Sequence, residues 1–527
     1  MGRLGKRALA AAAIGTTWFN LFWNFLLGVT TAFDTLGSQA YGAKDRAAVL
    51  SWAITALLAM TLVCIPVAAG MWWAEWFALV FFQQPPEIAQ LMGTFCRWTL
   101  PGLLPFVWSV IIMKAMQTQN MFWAPAAITG MICAANVGIN IGMIELAGFT
   151  GASAAISISR GLLFAVLLVY MCTCGRGCMS LLRPISSADA LKAAPGSTFD
   201  ANGLQQHQPA PSLEPPAVVE PLLRDAVQEV HSEVELQPAE LFTKAKLSSV
   251  IASGLSLSRL GQFFKLGIPG GFMMIFDSGA FDITTALAGF LGTVEVDAHI
   301  ALLTLVTFTY VSFPFAVSVA STIRVGNLLG AGRPMQARLS GYICIALGAG
   351  FMACAGAAVF IFRNRLGYIF VDNADVVALV ATAAPIASFY MPIDGMFGCV
   401  QGVLRGMGRQ MSLMIYNLVG FWFAGVVVGY TLCFKYKMGI PGLWWGITIG
   451  VFTATLFSMI SLFMADWRKE AALAQAAAAE SAAEEQLYKE HDGELADGNS
   501  GKLTAVLNGH DLEAPLIPEE ARLTSEE

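Results

Sequence analysis

Two stretches, TLGSQAYGAKDRA at residues 35–47 and TIRVGNLLGAGRPM at residues 322–335, decide how this chain is built. An offset of 288 residues carries Gly42 and Ala43 of the first onto Gly330 and Ala331 of the second. Two further pairs follow in the same order. IIMKAMQTQN (111–120) falls on QGVLRGMGRQ (401–410) at an offset of 290, and GFTG (148–151) falls on GIPG (439–442) at 291. One such match is weak. Three in a common order at a near-constant offset mark an internal duplication, the device from which many transporters are built.

Outward from these landmarks the chain is apolar. It is 56% hydrophobic and 13% charged over 527 residues, where a soluble domain has roughly 45–50% and 25%. Charge-poor stretches at 8–33, 50–73, 117–144, 298–323, 339–362 and 411–434 are each near the ~20 residues that cross a ~30 Å hydrocarbon layer. Lipid offers backbone groups no partners, so unbroken helices follow. The expected fold is an all-α polytopic membrane protein of two pseudo-symmetric helical bundles with about 11 transmembrane helices. Six belong to the second lobe, near 262–290, 298–323, 339–362, 377–404, 411–434 and 442–464. Five belong to the first, near 8–33, 50–73, 88–113, 122–145 and 152–174. The partner of 262–290 would fall at negative residue numbers, so the first lobe is expected to lack its first helix.

The domain plan is an N-terminal transmembrane lobe (1–174), a disordered cytoplasmic linker (175–257), a C-terminal six-helix lobe (258–465) and a cytoplasmic acidic tail (466–527). QQHQPAPSLEPPAVVEPLL (205–223) has no means of forming a core. In the tail, the Ala/Glu-rich start at 469–488 reads as a solvated helix and the remainder as disordered. The net charge of −6 comes largely from these segments and implies no nucleic-acid partner. Basic residues collect on the cytoplasmic side of a membrane. With the linker inside, that side carries Lys44, Arg46, Lys114, Arg324, Arg333, Arg338, Arg405, Arg409, Arg468 and Lys469. The opposite loops hold chiefly Arg363, Arg365, Lys435 and Lys437, while Arg3, Lys6 and Arg7 break the pattern.

Composition argues against an enzyme. Four of the five histidines (His207, His231, His491, His510) lie in linker or tail, leaving His299. No nucleophile–base set or metal motif is present. The ten cysteines make no metal finger or disulfide framework, although Cys172, Cys174 and Cys178 cluster at a membrane edge where acylation occurs. Ionisable groups inside apolar runs cost at least ~2.5–3.5 kcal/mol on insertion scales and ask for a purpose. They are Asp277 and Asp282 on the first helix of the second lobe, Asp394 on its fourth, and Arg160 on the last helix of the first lobe. Asp277 and Asp282 stand five residues apart, roughly 140° around a helix, within one broad sector.

The motifs resemble those of the multidrug and toxic compound extrusion family, particularly its plant and algal branch. TAFDTLGSQAYGAKD (31–45) is similar to the signature after that branch's second helix. PFAVSVASTIRVGNLLGAG (314–332) resembles the one after its eighth, QGVLRGMGRQ (401–410) the one after its tenth, and FFKLGIPGGFM (263–273) the start of its seventh. The resemblance spans about residues 2–464. It implies two bundles around a cleft that opens alternately to either side, driven by a proton or sodium gradient, with no organic cofactor.

IFDSGAFDI (275–283) resembles the family's pair of glutamates on the seventh helix, and PIDG (392–395) its acid on the tenth. Carried over, the proton-coupling and substrate residues are Asp277, then Asp394, then Asp282. Burial favours a neutral carboxyl, so a proton and a cation compete for one such site. Two departures stand out: aspartate replaces glutamate, and Ser278 and Gly279 occupy places where the family has bulky aromatics. Arg160 matches no family feature and reads as the partner of a buried acid, a holder of anionic substrate, or a snorkelling cation. Arg97 reads as an anchor and Asp34 as a cap. Phe281, Phe389, Tyr390 and Trp108 are candidates for an aromatic cavity, and Pro269 and Pro392 for bends beside the acids.

The expected activity is proton-coupled export of small organic solutes, chiefly cations, by a monomer in the plasma or vacuolar membrane, with linker and C-terminus cytoplasmic. Alternatives are sodium coupling, organic-anion export, a lipid-linked flippase, which would need more basic residues in the cleft than Arg160, and a channel or passive membrane protein. Small solute and lipid bilayer are the expected partners.

Overall fold

In the computed structural model, the residues described are 6–81, 83–173 and 250–496. Apart from turns and short linkers they are helical. The first lobe contains α1 (Lys6–Val29), α2 (Thr31–Gly42), α3 (Arg46–Trp72), α4 (Ala74–Val80), α5 (Pro86–Thr99), α6 (Leu103–Thr118) and α7 (Trp123–Thr173). The second contains α8 (Leu257–Gly289), α9 (Thr293–Ser312), α10 (Pro314–Gly330), α11 (Pro334–Leu366) and α12 (Ala374–Gly406). It ends with α13 (Gln410–Lys435) and α14 (Ile440–Phe463).

Proline and glycine decide where helices break. Pro101 sits in the 3-10 turn Leu100–Gly102 that joins α5 to α6, and Pro314 opens α10 directly after the break that ends α9. Each of these pairs forms one broken crossing. At Gly148, φ is +59°, and α7 doubles back so that Ser159 Oγ lies 2.9 Å from Asn136 Oδ1. Eight stretches among the described residues are long and apolar enough to cross a membrane. With α7 divided at Gly148, and with α1 and α8 added as crossings packed side by side, the described residues make five crossings plus six.

The duplication is visible in the backbone itself. Left-handed residues recur in pairs: Lys44 (φ 63°) with Gly332 (70°), Asn120 (61°) with Gly408 (82°), and Gly148 (59°) with Gly439 (61°). The second pair moves the register at the 111–120 landmark from an offset of 290 to one of 288, because the helix end fixes the alignment better than the apolar residues before it. The lobes also meet pseudo-symmetrically. A Cβ on Gly42 would lie 2.0 Å from the carbonyl oxygen of Asn327, and one on Gly330 would lie 2.0 Å from that of Gln39. These contacts exchange under the 288-residue offset.

All the lobe-to-lobe contacts described here lie toward the face that carries the loops after α2, α6, α10 and α12. Gly28 of α1 abuts Gly270 of α8, and Phe25 packs edge-on against Phe272 with centroids 5.5 Å apart. We call this the linker face. At the opposite face Trp72, Trp73, Trp76, Phe81 and Trp98 are exposed, an aromatic belt suited to a membrane interface.

The linker expectation for 175–257 falls mostly outside the described residues, as do Cys174, Cys178 and Arg3. Residues 250–254 are described. They form a helical turn docked on α3, where Ser51 Oγ lies 2.8 Å from Ser253 Oγ and Thr55 Oγ1 donates to the Gly254 carbonyl at 2.8 Å.

The tail differs from the sequence expectation as well. A single helix, α15 (Trp467–Ala496), lies across the linker face against α2, α3, α10 and α11, touching both lobes. Its alanines Ala471 and Ala474 are buried, which brings its backbone close. Its glutamates, which composition alone reads as solvated, meet arginines: Glu470 pairs with Arg409, and Glu484 accepts from Arg259 Nε at 2.9 Å. Arg259 is fully buried, lies 5.1 Å from the Trp52 ring centroid, and also donates to the Ser481 carbonyl at 2.8 Å. Removing one partner of a buried pair costs about 3–5 kcal/mol, less here because Glu484 is 23% exposed. Glu484→Ala is therefore expected to release α15, seen as faster limited proteolysis near Trp467. A cleavage rate equal to wild type would mean that the ion pair does not hold the helix.

Candidate functional site

Helix α12 is a 33-residue helix carrying Pro385 and Pro392 in its interior. Tyr390, Asp394, Gly398, Gln401 and Arg405 recur on it at intervals of three or four and share one face. Asp394 is 7% exposed, with buried Tyr390 one turn before it on the same face. From α9 the Tyr310 hydroxyl comes up against the same face of α12: a Cβ at position 398 would stand 2.4 Å from it, so Gly398 makes the approach possible.

Asp277 enters from α8. It is partly exposed, and Asp394, Tyr310, Tyr390 and Arg405 are charged or titratable groups within its electrostatic reach. Helix α13 holds this turn of α8 in place. Trp422 Nε1 donates to the Phe276 carbonyl at 3.0 Å, and Asn417 Nδ2 to the Met273 carbonyl at 3.3 Å. Gln401 Nε2 in turn donates to Asn417 Oδ1 at 2.8 Å. Trp422 lies in a π-helical stretch, Leu418–Val426, a wider winding that re-aims side chains and is frequent at functional sites. A Cβ on Gly279 would come within 3.3 Å of Trp422 Cζ2. The missing aromatic on α8 thus makes room for the indole supplied by α13. Neither Asp277 nor Asp394 has a salt-bridge partner among the described residues.

A model of the family described as MatE matches residues 1–144 and 269–431, over half of the chain. The chain belongs to the MatE family. Among its relatives, Protein DETOXIFICATION 14 of Arabidopsis thaliana is 25% identical over 480 residues, covering 89% of this chain and 84% of that protein. Multidrug and toxin extrusion protein 1 of Danio rerio is 26% identical over 475 residues, covering 89% and 68%. The crystal structure of the eukaryotic MATE transporter AtDTX14 matches with a TM-score of 0.69 at 24% identity over 90% of this chain and 92% of that one. The Vibrio cholerae MATE transporter VcmN in its bent form matches with a TM-score of 0.64 at 14% identity over 92% and 91%. These two likenesses show the fold. This MatE protein is therefore an integral, multi-pass efflux transporter of the plant-type eukaryotic branch, taking small-molecule substrates, and is not an enzyme.

Of the sequence candidates in this MatE chain, Asp277 and Asp394 lie within electrostatic reach of each other, and Asp282 stands apart. Asp282 is exposed one turn further along α8, because the 140° separation turns it away from α12. Arg160 has no acidic partner among the described residues, which removes the buried-pair reading. Its guanidinium is held between the Phe19 and Phe106 rings, 4.4 and 4.5 Å from their centroids, with Nη1 buried and unpartnered. Asp34 makes no capping bond and pairs instead with Lys114 of α6. Arg97 is bound to Glu75 at 2.8 Å, near Trp72. The four aromatic candidates form no common cavity: Phe281 packs on Phe421, Phe389 is exposed, Tyr390 packs edge-on against Trp444, and Trp108 donates to Thr61 at 3.1 Å in the other lobe.

Sequence reasoning missed Arg405 and Lys114 as buried groups. Both counted as loop charges, yet they are 5% and 9% exposed. The spacing of Arg405 from Asp394 and Gly398, which sets all three on one helical face, was the available signal.

Proposed function

We propose that the protein is a secondary active antiporter that exports organic cations in exchange for protons by alternating access, with Asp277 and Asp394 as the shared load site. The observation that supports this reading is a pair of carboxylates within electrostatic reach of each other, Asp394 buried and Asp277 partly exposed, neither ion-paired among the described residues. Like charges within electrostatic reach of each other in a poorly hydrated site disfavour joint ionisation, so a proton or a cation supplies the balance. Loading one expels the other.

The linker face is read as cytoplasmic from its Lys44, Arg46, Arg324, Arg333, Arg338 and Arg409. With the lobes joined there, the conformation is the one that receives protons from outside and discharges substrate. The protein works as a monomer in the plasma or vacuolar membrane.

The test is efflux of a fluorescent organic cation from vesicles containing the full chain. A pH gradient should drive it and a protonophore should stop it. Efflux indifferent to the protonophore but driven by a sodium gradient would replace protons by sodium.

A second reading, export of organic anions, is favoured by the unpartnered Arg160 between its two rings. Arg160→Met separates the two. Cation efflux little changed by the substitution fits the first reading, whereas transport of an aromatic carboxylate that the substitution abolishes establishes the second.

A further inference from the structure

Helix α15 crosses the seam between the lobes at the linker face, and its two ends are held differently. Its start is fixed to the second lobe. Met464, Ala465 and Asp466 are all that separate it from α14, and Asp466 Oδ1 caps it by accepting from the backbone N–H groups of Arg468 and Lys469 at 3.0 and 3.3 Å. Trp467, Ala471 and Ala474 are buried in the core of that lobe with Leu328, Ala337 and Val403. Arg409, in the turn after α12, pairs with Glu470 and donates from Nη1 to the Ser461 carbonyl at 3.2 Å, which ties α12, α14 and α15 together. The helix also packs against α2 and α3 of the first lobe. About 21 Å beyond Glu470, at ~1.5 Å per helical residue, it is fastened a second time. Glu484 accepts from Arg259 Nε and from Ser256 Oγ, both at 2.9 Å, and the Ser481 carbonyl accepts from Arg259 Nη2 at 2.8 Å. Arg259 lies against Trp52 of α3, 5.1 Å from its ring centroid, and the turn before Ser256 is bound to Ser51 and Thr55 of the same helix. The far end of α15 is therefore clasped at the point where α8 itself meets the first lobe.

We propose that α15 is an autoinhibitory strap: it over-stabilises the closed linker face, and transport speeds up when its Glu484 clasp opens. This rests on the alternating-access reading, in which the linker face opens once in every cycle. The lobes have their own means of closing. Gly28 abuts Gly270, and Gly42 and Gly330 each abut backbone of the opposite lobe. Thr35 Oγ1 and Gln39 Nε2 of α2 donate to the Arg405 and Gly406 carbonyls of α12 at 2.6 and 3.1 Å. A gate without the strap still shuts, but opening no longer has to break the clasp. The two ends differ in strength. The start of α15 is held by core packing, a cap and Arg409, whereas the clasp depends on one glutamate whose side chain is 23% exposed. The clasp is the end that yields, so α15 stays with the second lobe as the seam parts.

The experiment reads the gate and the flux together. Spin labels at Lys44→Cys in the first lobe and Met335→Cys in the second, both exposed positions, report the lobe separation at the linker face. The full chain carries them with its accessible native cysteines changed to serine. Efflux of a fluorescent organic cation from vesicles is followed in parallel. Glu484→Ala is expected to shift the distance distribution toward separation and to raise the maximal efflux rate about threefold or more, since an ion pair open to water on one side contributes little more than a surface pair. Arg259→Met removes the same bond from the other side and should act alike. Glu480→Ala, exposed on α15 one turn before the clasp, should leave both readouts at wild type.

Wild-type separation and rate in Glu484→Ala would make α15 a passive cover and overturn the strap. So would separation accompanied by slower efflux, which would make the clasp a part of gate closure and not a brake upon it. The two levels are distinguishable. If the wild-type chain itself exports no cation, the transport reading fails, yet the label distances need no substrate and still decide the strap: separation in Glu484→Ala upholds it, and an unchanged distribution overturns it.

Discussion

Asp277→Asn is expected to cut gradient-driven efflux of an organic cation roughly tenfold or more, the largest effect of any single side chain in the second lobe. The amide matches the carboxylate in volume, so packing on α13 through Trp422 and Asn417 survives. What is lost is the charge that holds a cation and the proton that replaces it. The effect should fall on the pH dependence: efflux in the variant becomes slow and indifferent to the gradient. Asp394→Asn should do less, because Asp394 is buried, whereas Asp277 is partly exposed and open to a substrate cation. Asp282→Asn, exposed and outside the cluster, should transport like wild type. If Asp282→Asn is the crippled variant and Asp277→Asn is not, the substrate binds on the other side of α8 and the site assignment falls.

The contrast between these aspartates bears on what a sequence can convey. Helix existence was legible because lipid permits few alternatives, so apolar length alone decides it. The duplication was legible because turns need particular residues: the glycines of 330–332, 408 and 439 mark helix ends or left-handed backbone where the chain must turn. The placement of Asp277 and Asp394 relative to each other was not contained in either pattern, since it depends on how α8 and α12 are turned within the lobe. The family resemblance named both as proton-coupling residues and was silent on that placement. Arg405 and Lys114 went unread for a different reason. Basic residues near helix ends serve equally as loop charges and as buried partners, and only tertiary packing divides the two. The tail shows the converse, a polar composition that suggests solvent yet finds Arg259 and Arg409 waiting on the linker face.

Gly42→Ala and Gly330→Ala should each prevent the lobes from closing at the linker face, and their similarity is the sharper part of the expectation. In both, the new methyl would stand 2.0 Å from a backbone carbonyl oxygen of the opposite lobe, a contact no rotamer relieves. Overpacking against side chains costs about 1–3 kcal/mol, and rigid backbone gives less ground. Every ~1.4 kcal/mol moves an equilibrium tenfold, so the closed state should lose at least that much of its population. Efflux should fall by a comparable factor, because a transporter unable to close one gate cannot complete its cycle. Gly350→Ala, where a methyl meets open space on α11, is the control and should behave as wild type. Because Gly42 touches Asn327 and Gly330 touches Gln39, the pair tests the pseudo-symmetry as well as the gate. Equal losses mean that the two halves close on each other through one repeated contact. A large loss at one position and none at the other would mean that the gate is carried by a single lobe, with the repeat a relic of duplication and no longer a working part.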